Sequence, residues 1–454
     1  MNRLISPFQG DGLMARVLRS LTWLMMQYGG TQALRLASNL ILTRILFPEA
    51  FGLMALVSLV TIGLSLFSDI GLGPAISQNP RGDDPEFLDT AWVLQVIRGF
   101  ALWLLVCLLA LPVAQFYGEP DLAYYLPIAG LGTAIAGFVP TKVQTAHRHL
   151  LLGRLTMVEL VAQAIGIGGM VIVALITQSV AALVLGGIFN AIARLILCNL
   201  FLPGRGNRFR WNRKIAIELM TFGKWIFLST SLWFLISQGD RIVLGRYLSL
   251  EMLGLYNIGF FLASFPTQLG HSVANGLLIP IYRDRPPHAS PENFRKLRLM
   301  RAGLAGGIAG LSIVMALIGP ALVEFLYDDR YLTSAQIVTL MACALAPTAL
   351  GMTYDLAALA AGDSRSYFIY SSARAAAQIG LILTGVIWYG LFGAILAMGL
   401  TSLVTYPILV WLARRHRVWD PLLDLVFWSL TGLLCALALW VHWDEVIGLI
   451  GVIS

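Results

Sequence analysis

The chain has 454 residues, of which 58% are hydrophobic and only 12% charged, with a formal net charge of +7. A soluble domain carries about 25% charged residues, and a mean hydropathy of +0.77 leaves more apolar surface than a water-exposed fold can bury. A water-soluble enzyme or binding module is excluded, and an all-α polytopic membrane protein remains.

A helix needs about 20 residues to cross a bilayer. Apolar runs of that length follow one another at 21–45, 50–76, 91–117, 123–146, 154–177, 179–202, 219–247, 252–281, 300–327, 333–361, 366–389, 391–413 and 422–442. This predicts thirteen spans. The last apolar piece, 446–454, is too short to cross, so a fourteenth helix stays open. Residues 10–20 have the pattern of a short amphipathic helix on the membrane surface. No cleavable signal pattern precedes the first span. Cys107, Cys198, Cys343 and Cys435 all fall inside apolar runs, without metal spacing, and read as small core residues.

The polar breaks alternate in charge. One set carries Arg81; Lys142, Arg148 and Arg154; Arg205, Arg208, Arg210, Arg213 and Lys214; Arg283, Arg285, Arg295, Lys296, Arg298 and Arg301; Arg365; and Arg414, Arg415 and Arg417. The other set holds only Arg44, Arg246 and Arg330 and favours acids. By the positive-inside rule the N-terminus is cytoplasmic. The basic balance is thereby a topology signal, and no nucleic-acid partner is expected.

The sequence repeats internally. Arg44 to Leu53 (RILFPEAFGL) aligns without a gap on Arg246 to Leu255 (RYLSLEMLGL), and six spans lie in each copy. An even number of spans gives both halves the same orientation, related by an axis along the membrane normal, as in parallel-repeat transporters. The expected organisation is a six-helix lobe over 1–210, a second over 211–415, and an additional helix with an apolar tail over 416–454. The two lobes would enclose a central cavity.

Six basic side chains lie inside spans: Arg35, Arg98, Arg194, Lys224, Arg241 and Arg374. A charge at mid-bilayer costs roughly 2.5–3.5 kcal/mol even on the lenient insertion scale, unless it faces water or a partner charge. In the first span Gln27, Thr31, Arg35 and Asn39 share one helical face. In the seventh span, its counterpart in the repeat, Lys224, Ser231 and Gln238 share a face, with Arg241 beside it. Gln95 accompanies Arg98, and Gln378 accompanies Arg374. The functional reading is a cavity whose cations (Arg35, Arg98, Lys224, Arg241 and Arg374) suit an anionic substrate. The alternative is local neutralisation: Arg241 follows Asp240, and Arg194 lies within reach of Asn190 or the basic side. Fewer carboxylates lie in spans (Asp69, Glu159, Asp240, Asp355), so the cations cannot all be paired. Glu159 and Asp355 are candidates for ion coupling, because buried carboxylates carry protons readily; either is also explained as a partner for an Arg. No hydrolase, nucleotide-binding or metal-ligand motif is present, so no enzyme activity, metal or cofactor is expected.

Residues 29–80, including Ala37-Ser38-Asn39, Thr43-Arg44-Ile-Leu-Phe-Pro48-Glu49-Ala-Phe51-Gly52-Leu53 and Ser68-Asp69-Ile70-Gly71-Leu72-Gly73-Pro74, resemble the opening of the bacterial Wzx-type polysaccharide flippases. These belong to the multidrug/oligosaccharidyl-lipid/polysaccharide exporter superfamily. Gly239-Asp240-Arg241 through Leu253-Gly254-Leu255-Tyr256 is similar to the same family. The resemblance implies two six-helix lobes, one or two further C-terminal helices and residence in the bacterial inner membrane. It also implies translocation of undecaprenyl-diphosphate-linked oligosaccharide repeat units for exopolysaccharide, capsule or O-antigen synthesis. The implied partners are that glycan, membrane lipids, and the polymerase and export machinery of the same pathway. Arg suits a diphosphate because its planar fork binds phosphate oxygens in pairs. Rival readings are a drug or cation exporter of the superfamily, which would favour acidic cavity groups, and a membrane polysaccharide polymerase or ligase, which would carry a large outer loop.

Overall fold

The computed structural model describes residues 13–69, 71–284 and 287–449. Among them the regular structure is entirely helical. The first part of the chain forms α1 (Leu13–Ile45), α2 (Pro48–Phe67), α3 (Leu72–Gln78), α4 (Pro85–Tyr117), α5 (Asp121–Gly137), α6 (Lys142–Arg148), α7 (Leu152–Thr177) and α8 (Ala181–Phe201). The rest forms α9 (Arg213–Tyr247), α10 (Leu250–Ala263), α11 (Phe265–Asp284), α12 (Pro291–Leu326), α13 (Thr333–Leu345), α14 (Thr348–Ala360), α15 (Ser364–Val404), α16 (Tyr406–Arg415), α17 (Pro421–Val441) and α18 (Trp443–Gly448).

Local chemistry sets the ends. The Asp84 side chain accepts the Glu86 N–H and Pro85 opens α4, a combination that satisfies an orphan donor and pre-sets φ. Gly118, at φ +76°, closes the same helix in the left-handed region. Ser249, Ser290 and Asp420 cap α10, α12 and α17 in the same manner.

Several expected spans are broken helices. The run 123–146 becomes α5 and α6, bent by 61°, because Pro140 lacks the N–H that would continue the ladder. Gln95 Nε2 reaches the freed carbonyls of Ala136, Gly137 and Val139 at 3.0–3.2 Å. Within lipid such carbonyls must find an internal donor, and this gives Gln95 its role. The run 333–361 bends by 42° before Thr348, where Pro347 interrupts it. The run 50–76 breaks at Gly71, φ +62°. Inside α15 the chain reverses at Tyr389 and Gly390, whose φ is +57°. On either side, a Cβ on Gly385 would stand 2.4 Å from the Gly393 carbonyl oxygen, and one on Gly393 2.2 Å from that of Gly385. Only glycine permits so close a hairpin.

Seven helices among the described residues are long and apolar enough to cross a membrane, or nine with each bent pair taken as one span. The reversal at Gly390 divides Ser364–Arg415 into two crossings. α1, α9 and the α10–α11 pair carry polar residues that lower their hydropathy, and they complete the thirteen segments read from the sequence. The surface helix expected at 10–20 is not a separate element: residues 10–12 lie outside the described residues, and from Leu13 the chain already runs in α1. Of the tail, α18 covers Trp443–Gly448, and 450–454 lie outside the described residues.

The chain divides into two units: residues up to Leu46 with Leu56–Ser231, and Phe47–Ala55 with Leu232 onward. The division falls inside α9 rather than at 210/211. The reason is burial of Ile215, Ala216 and Leu219 with Leu72, Ile76, Phe87 and Leu94 of the first unit. Glu218 also pairs with Arg81.

The second unit has a core of α11, α12, α14 and α16 side chains, among them Leu278, Ile308, Leu350, Tyr354 and Leu412. The 416–454 segment joins this unit. Arg298 forms two hydrogen bonds to Asp420. Asp424, only 1% exposed, accepts from Tyr354 at 2.6 Å, Tyr406 at 2.7 Å and Trp419 at 3.1 Å. Arg301, also 1% exposed, stacks 3.7 Å from the Tyr354 ring centre and donates to the Val418 carbonyl. In a second corner of this unit, Phe47 lies under Arg330 and Phe51 meets Tyr331 edge-on at 6.1 Å.

Asp363, in the turn before α15, accepts the Ser366 N–H at 3.0 Å and Arg415 at 2.9 Å. The Ser366 backbone bond chiefly holds its carboxyl down, at about 2. A depressed folded value stabilises above the ordinary carboxylate range and is lost as pH falls toward 2. Asp363→Ala is expected to cost about 1 kcal/mol at pH 7. The gap between the thermal midpoints of variant and wild type should close between pH about 4 and about 2. A gap that stays constant over that range would remove the capping role.

Candidate functional site

The intramembrane cations fall into sharply different settings. In the first unit, Arg194 of α8 binds Glu159 of α7 through two contacts, at 2.8 and 3.0 Å. Both Glu159 oxygens thus serve a neighbouring guanidinium, which weighs against ion coupling there. Arg98 of α4 is partly buried and donates to the Ser68 hydroxyl at 3.0 Å and the Ser65 carbonyl at 2.6 Å. It sits at the C-terminal end of α2, where the helix dipole favours a cation. Arg35 is exposed on α1. Two members of its expected stripe turn toward α7: Gln27 accepts from Thr156 at 3.5 Å, and the Thr31 carbonyl accepts from Gln163 at 3.3 Å. Asn39 is half-buried, its carbonyl accepting from Thr43 at 2.8 Å. The Ser231 hydroxyl bonds back to the Phe227 carbonyl at 2.7 Å within α9. Lys224 lies in α9, and its side chain falls outside the described residues.

In the second unit, adjacent residues of α9 diverge. Asp240, 1% exposed, turns to the Tyr256 hydroxyl at 2.5 Å. Arg241 turns instead to Asn257 and Gln238, each at 2.9 Å, and stacks 4.8 Å from the Phe260 ring centre. The pairing of Arg241 by its neighbour Asp240 does not occur, because consecutive side chains on a helix do not face each other. Arg241 therefore keeps its charge among neutral partners, with no ion pair among the described residues. Gln378 of α15 is buried and donates to the Ile236 carbonyl at 3.0 Å. Both units thus use one device: a glutamine, Gln163 of α7 or Gln378 of α15, bonds a main-chain carbonyl of α1 or α9 respectively.

Arg374 of α15 lies beside the Tyr370 hydroxyl and within electrostatic reach of His271 and Asp355. It makes no ion pair among the described residues. Asp355 is half-buried, and its buried Oδ1 has no hydrogen-bond partner among the described residues. Tyr256, Tyr370 and His271 were not singled out in the sequence. Tyr370 stands one turn before Arg374 on α15, whereas the approach of Tyr256 to Asp240 and of His271 to Arg374 joins different helices and does not show in one chain read alone.

A cleft of about 320 Å³ lies on the loop side of the first unit, lined by Asp83, Asp89, Lys142, His149 and Arg205 among others. Its polar groups are largely engaged: His149 and Arg148 with Asp83, Arg205 with Asp89, and Lys142 with the Asn199 carbonyl. No metal-holding group of three or more His, Cys, Asp or Glu occurs among the described residues.

The described residues form an all-helical, multi-pass chain in which Arg241 and Arg374 make no ion pair among those residues, with the fold of transporters of the multidrug/oligosaccharidyl-lipid/polysaccharide superfamily. Its fold is similar to the lipid II flippase MurJ in an inward closed conformation, with a TM-score of 0.68, 12% identity, and 94% of this chain and 99% of that one covered. It is also similar to an inward-facing MATE family multidrug transporter, with a TM-score of 0.66, 13% identity, and 85% and 94% covered. A family model described as "Polysaccharide biosynthesis protein" matches residues 41–336, and the chain belongs to that family. The succinoglycan biosynthesis transport protein ExoT of Rhizobium meliloti (strain 1021) is 24% identical over 93% of this chain and 84% of its own length. The lipopolysaccharide biosynthesis protein WzxC of Escherichia coli (strain K12) is 24% identical over 55% of this chain and 51% of its own. The protein is a multi-pass membrane protein of polysaccharide biosynthesis that acts in transport or export.

Proposed function

We propose that the protein flips undecaprenyl-diphosphate-linked oligosaccharide repeat units from the cytoplasmic to the outer leaflet of the bacterial inner membrane. The N-terminus is cytoplasmic in this reading, as the basic loops require. The observation that carries it is the setting of Arg241 and Arg374. Both are intramembrane guanidinium groups that make no ion pair among the described residues, although carboxylates lie nearby in Asp240 and Asp355. Arg194, by contrast, is paired with a carboxylate, Glu159. A diphosphate supplies the missing negative charge, and guanidinium groups bind phosphate oxygens bidentately. Arg35 and Arg98 on the first unit, with Lys224, Arg241 and Arg374, screen the diphosphate as it crosses by alternating access. Gln27, Thr31, Asn39, Ser231 and Gln238 offer polar contacts to the glycan, the polyprenyl tail staying in lipid; Gln378, buried on the Ile236 carbonyl, holds two helices together instead. A carrier for cationic drugs would be disfavoured by the same charges.

Asp355 is the proposed coupling group, since its Oδ1 has no hydrogen-bond partner among the described residues and Arg374 lies within electrostatic reach. Arg374→Ala is expected to reduce polysaccharide export at least tenfold at normal protein levels, with lipid-linked repeat units accumulating on the cytoplasmic leaflet. Arg35→Ala should act in the same direction. Asp355→Asn should abolish the dependence of flipping on an imposed ion gradient in proteoliposomes. Full export by both arginine variants would refute the cationic path.

A further inference from the structure

Between α8 and α9 the chain reads Asn207-Arg208-Phe209-Arg210-Trp211-Asn212-Arg213-Lys214, a run of cations interleaved with aromatics. The segment is pinned. Asn207 bonds the Leu88 carbonyl and both the hydroxyl and the N–H of Thr141. The Arg208 N–H reaches Asp89 at 3.0 Å. Asn212 bonds Glu86 and Thr90 and caps the first turn of α9. Phe209 stacks edge-on against Trp92 at 4.7 Å.

What these anchors leave outward is specific. Phe209 is 73% and Trp211 52% exposed. The side chains of Arg208, Arg210, Arg213 and Lys214 are exposed and make no ion pair among the described residues. The acids close by are already engaged, Asp89 by Arg205, Glu218 by Arg81 and Glu86 by Asn212. The other arginine-rich turn, 414–417, behaves differently. There Arg414 stacks on Trp419 at 3.9 Å, and Arg415 and His416 both reach Asp363. Charge bias for topology would be met equally by either arrangement, so it does not explain why, of these two segments, 208–214 keeps its cations outward.

Phe201, which ends one span, is 60% exposed, and Arg213 begins the next. The segment between two span ends therefore lies at the depth of lipid headgroups. Exposed Trp and Phe favour that depth, and near-surface Lys and Arg attract anionic lipid.

We propose that residues 208–214 form an interfacial strap that binds the phosphodiester headgroups of anionic phospholipid and so fixes the start of α9 at the bilayer surface. The occupant is bilayer phospholipid; a soluble phosphate compound is an outcome that the test separates.

The test measures binding of fluorescent phosphatidylglycerol to the purified full-length protein in mild detergent. Wild type should bind it at least tenfold tighter than phosphatidylcholine, and raising KCl from about 50 to about 500 mM should release it. Arg208→Gln/Arg210→Gln/Arg213→Gln/Lys214→Gln should weaken binding by about fivefold per cation removed. Arg283→Gln/Arg295→Gln/Arg365→Gln/Arg417→Gln, with the same loss of charge on other basic segments, should stay within about twofold of wild type. If the strap variant does not insert, Phe209→Ser/Trp211→Ser, which keeps every charge, should lose phosphatidylglycerol binding several-fold. Equal binding of the two lipids, an equal loss in the control variant, unchanged binding in both strap variants, or displacement by millimolar inorganic pyrophosphate would each overturn the proposal.

Discussion

Gly254→Val is expected to destabilise the protein by about 3 kcal/mol and to cut export in proportion, and Gly52→Val should do the same. A Cβ on Gly254 would stand 1.9 Å from the Pro48 carbonyl oxygen, and one on Gly52 1.9 Å from that of Leu250. Both obstacles are backbone, so no rotamer change relieves them. The two glycines are equivalent positions of the internal repeat, and so are Pro48 and Leu250. Each copy therefore seats the first-turn carbonyl of the other in a notch where its own side chain is missing. Because the contact is reciprocal, the two variants should resemble each other in size and kind. Thermal midpoints in detergent, read with export in cells, check this. A wild-type midpoint in either variant would show that the corner yields without cost.

The second large effect is expected at Asp424. Its carboxylate accepts from two tyrosine hydroxyls and an indole N–H at once. Asp424→Ala strands all three donors, and a buried donor left unmade costs about 1–3 kcal/mol. The summed loss should reach about 3–5 kcal/mol, the range for removing one partner of a buried charged network. Asp424→Asn keeps one acceptor oxygen and should fall between the two. The yield of folded protein and its resistance to heat are the measurements. An alanine variant as stable as wild type would mean that Tyr354, Tyr406 and Trp419 find other acceptors.

The spans, the alternation of loop charge and the repeat were legible because each depends on composition along one chain. The breaks in 123–146 and 333–361 were marked by Pro140 and Pro347, yet a proline alone does not fix the bend. The partner of each buried cation was the least legible. Arg194 meets Glu159, 35 residues away, whereas Arg241 avoids its neighbour Asp240. Adjacency in sequence places two side chains about a quarter-turn apart on a helix, so it argues against contact rather than for it. The polar face of α1 was visible, but not that Gln27 and Thr31 would spend part of it on α7. A polar stripe serves helix packing and solvent alike, and only the neighbouring helix decides between them.

The network at the start of α17 bears on how the protein is made. Arg298 and Arg301 emerge from the ribosome more than a hundred residues before Asp420 and the Val418 carbonyl that receive them. Until the last long helix is inserted, these two guanidinium groups and the hydroxyls of Tyr354 and Tyr406 lack their acceptors. Assembly of the second unit therefore waits until the start of α17 has been made. A chain terminated at 415 would leave the membrane holding a nascent protein that quality-control proteases recognise as unfinished.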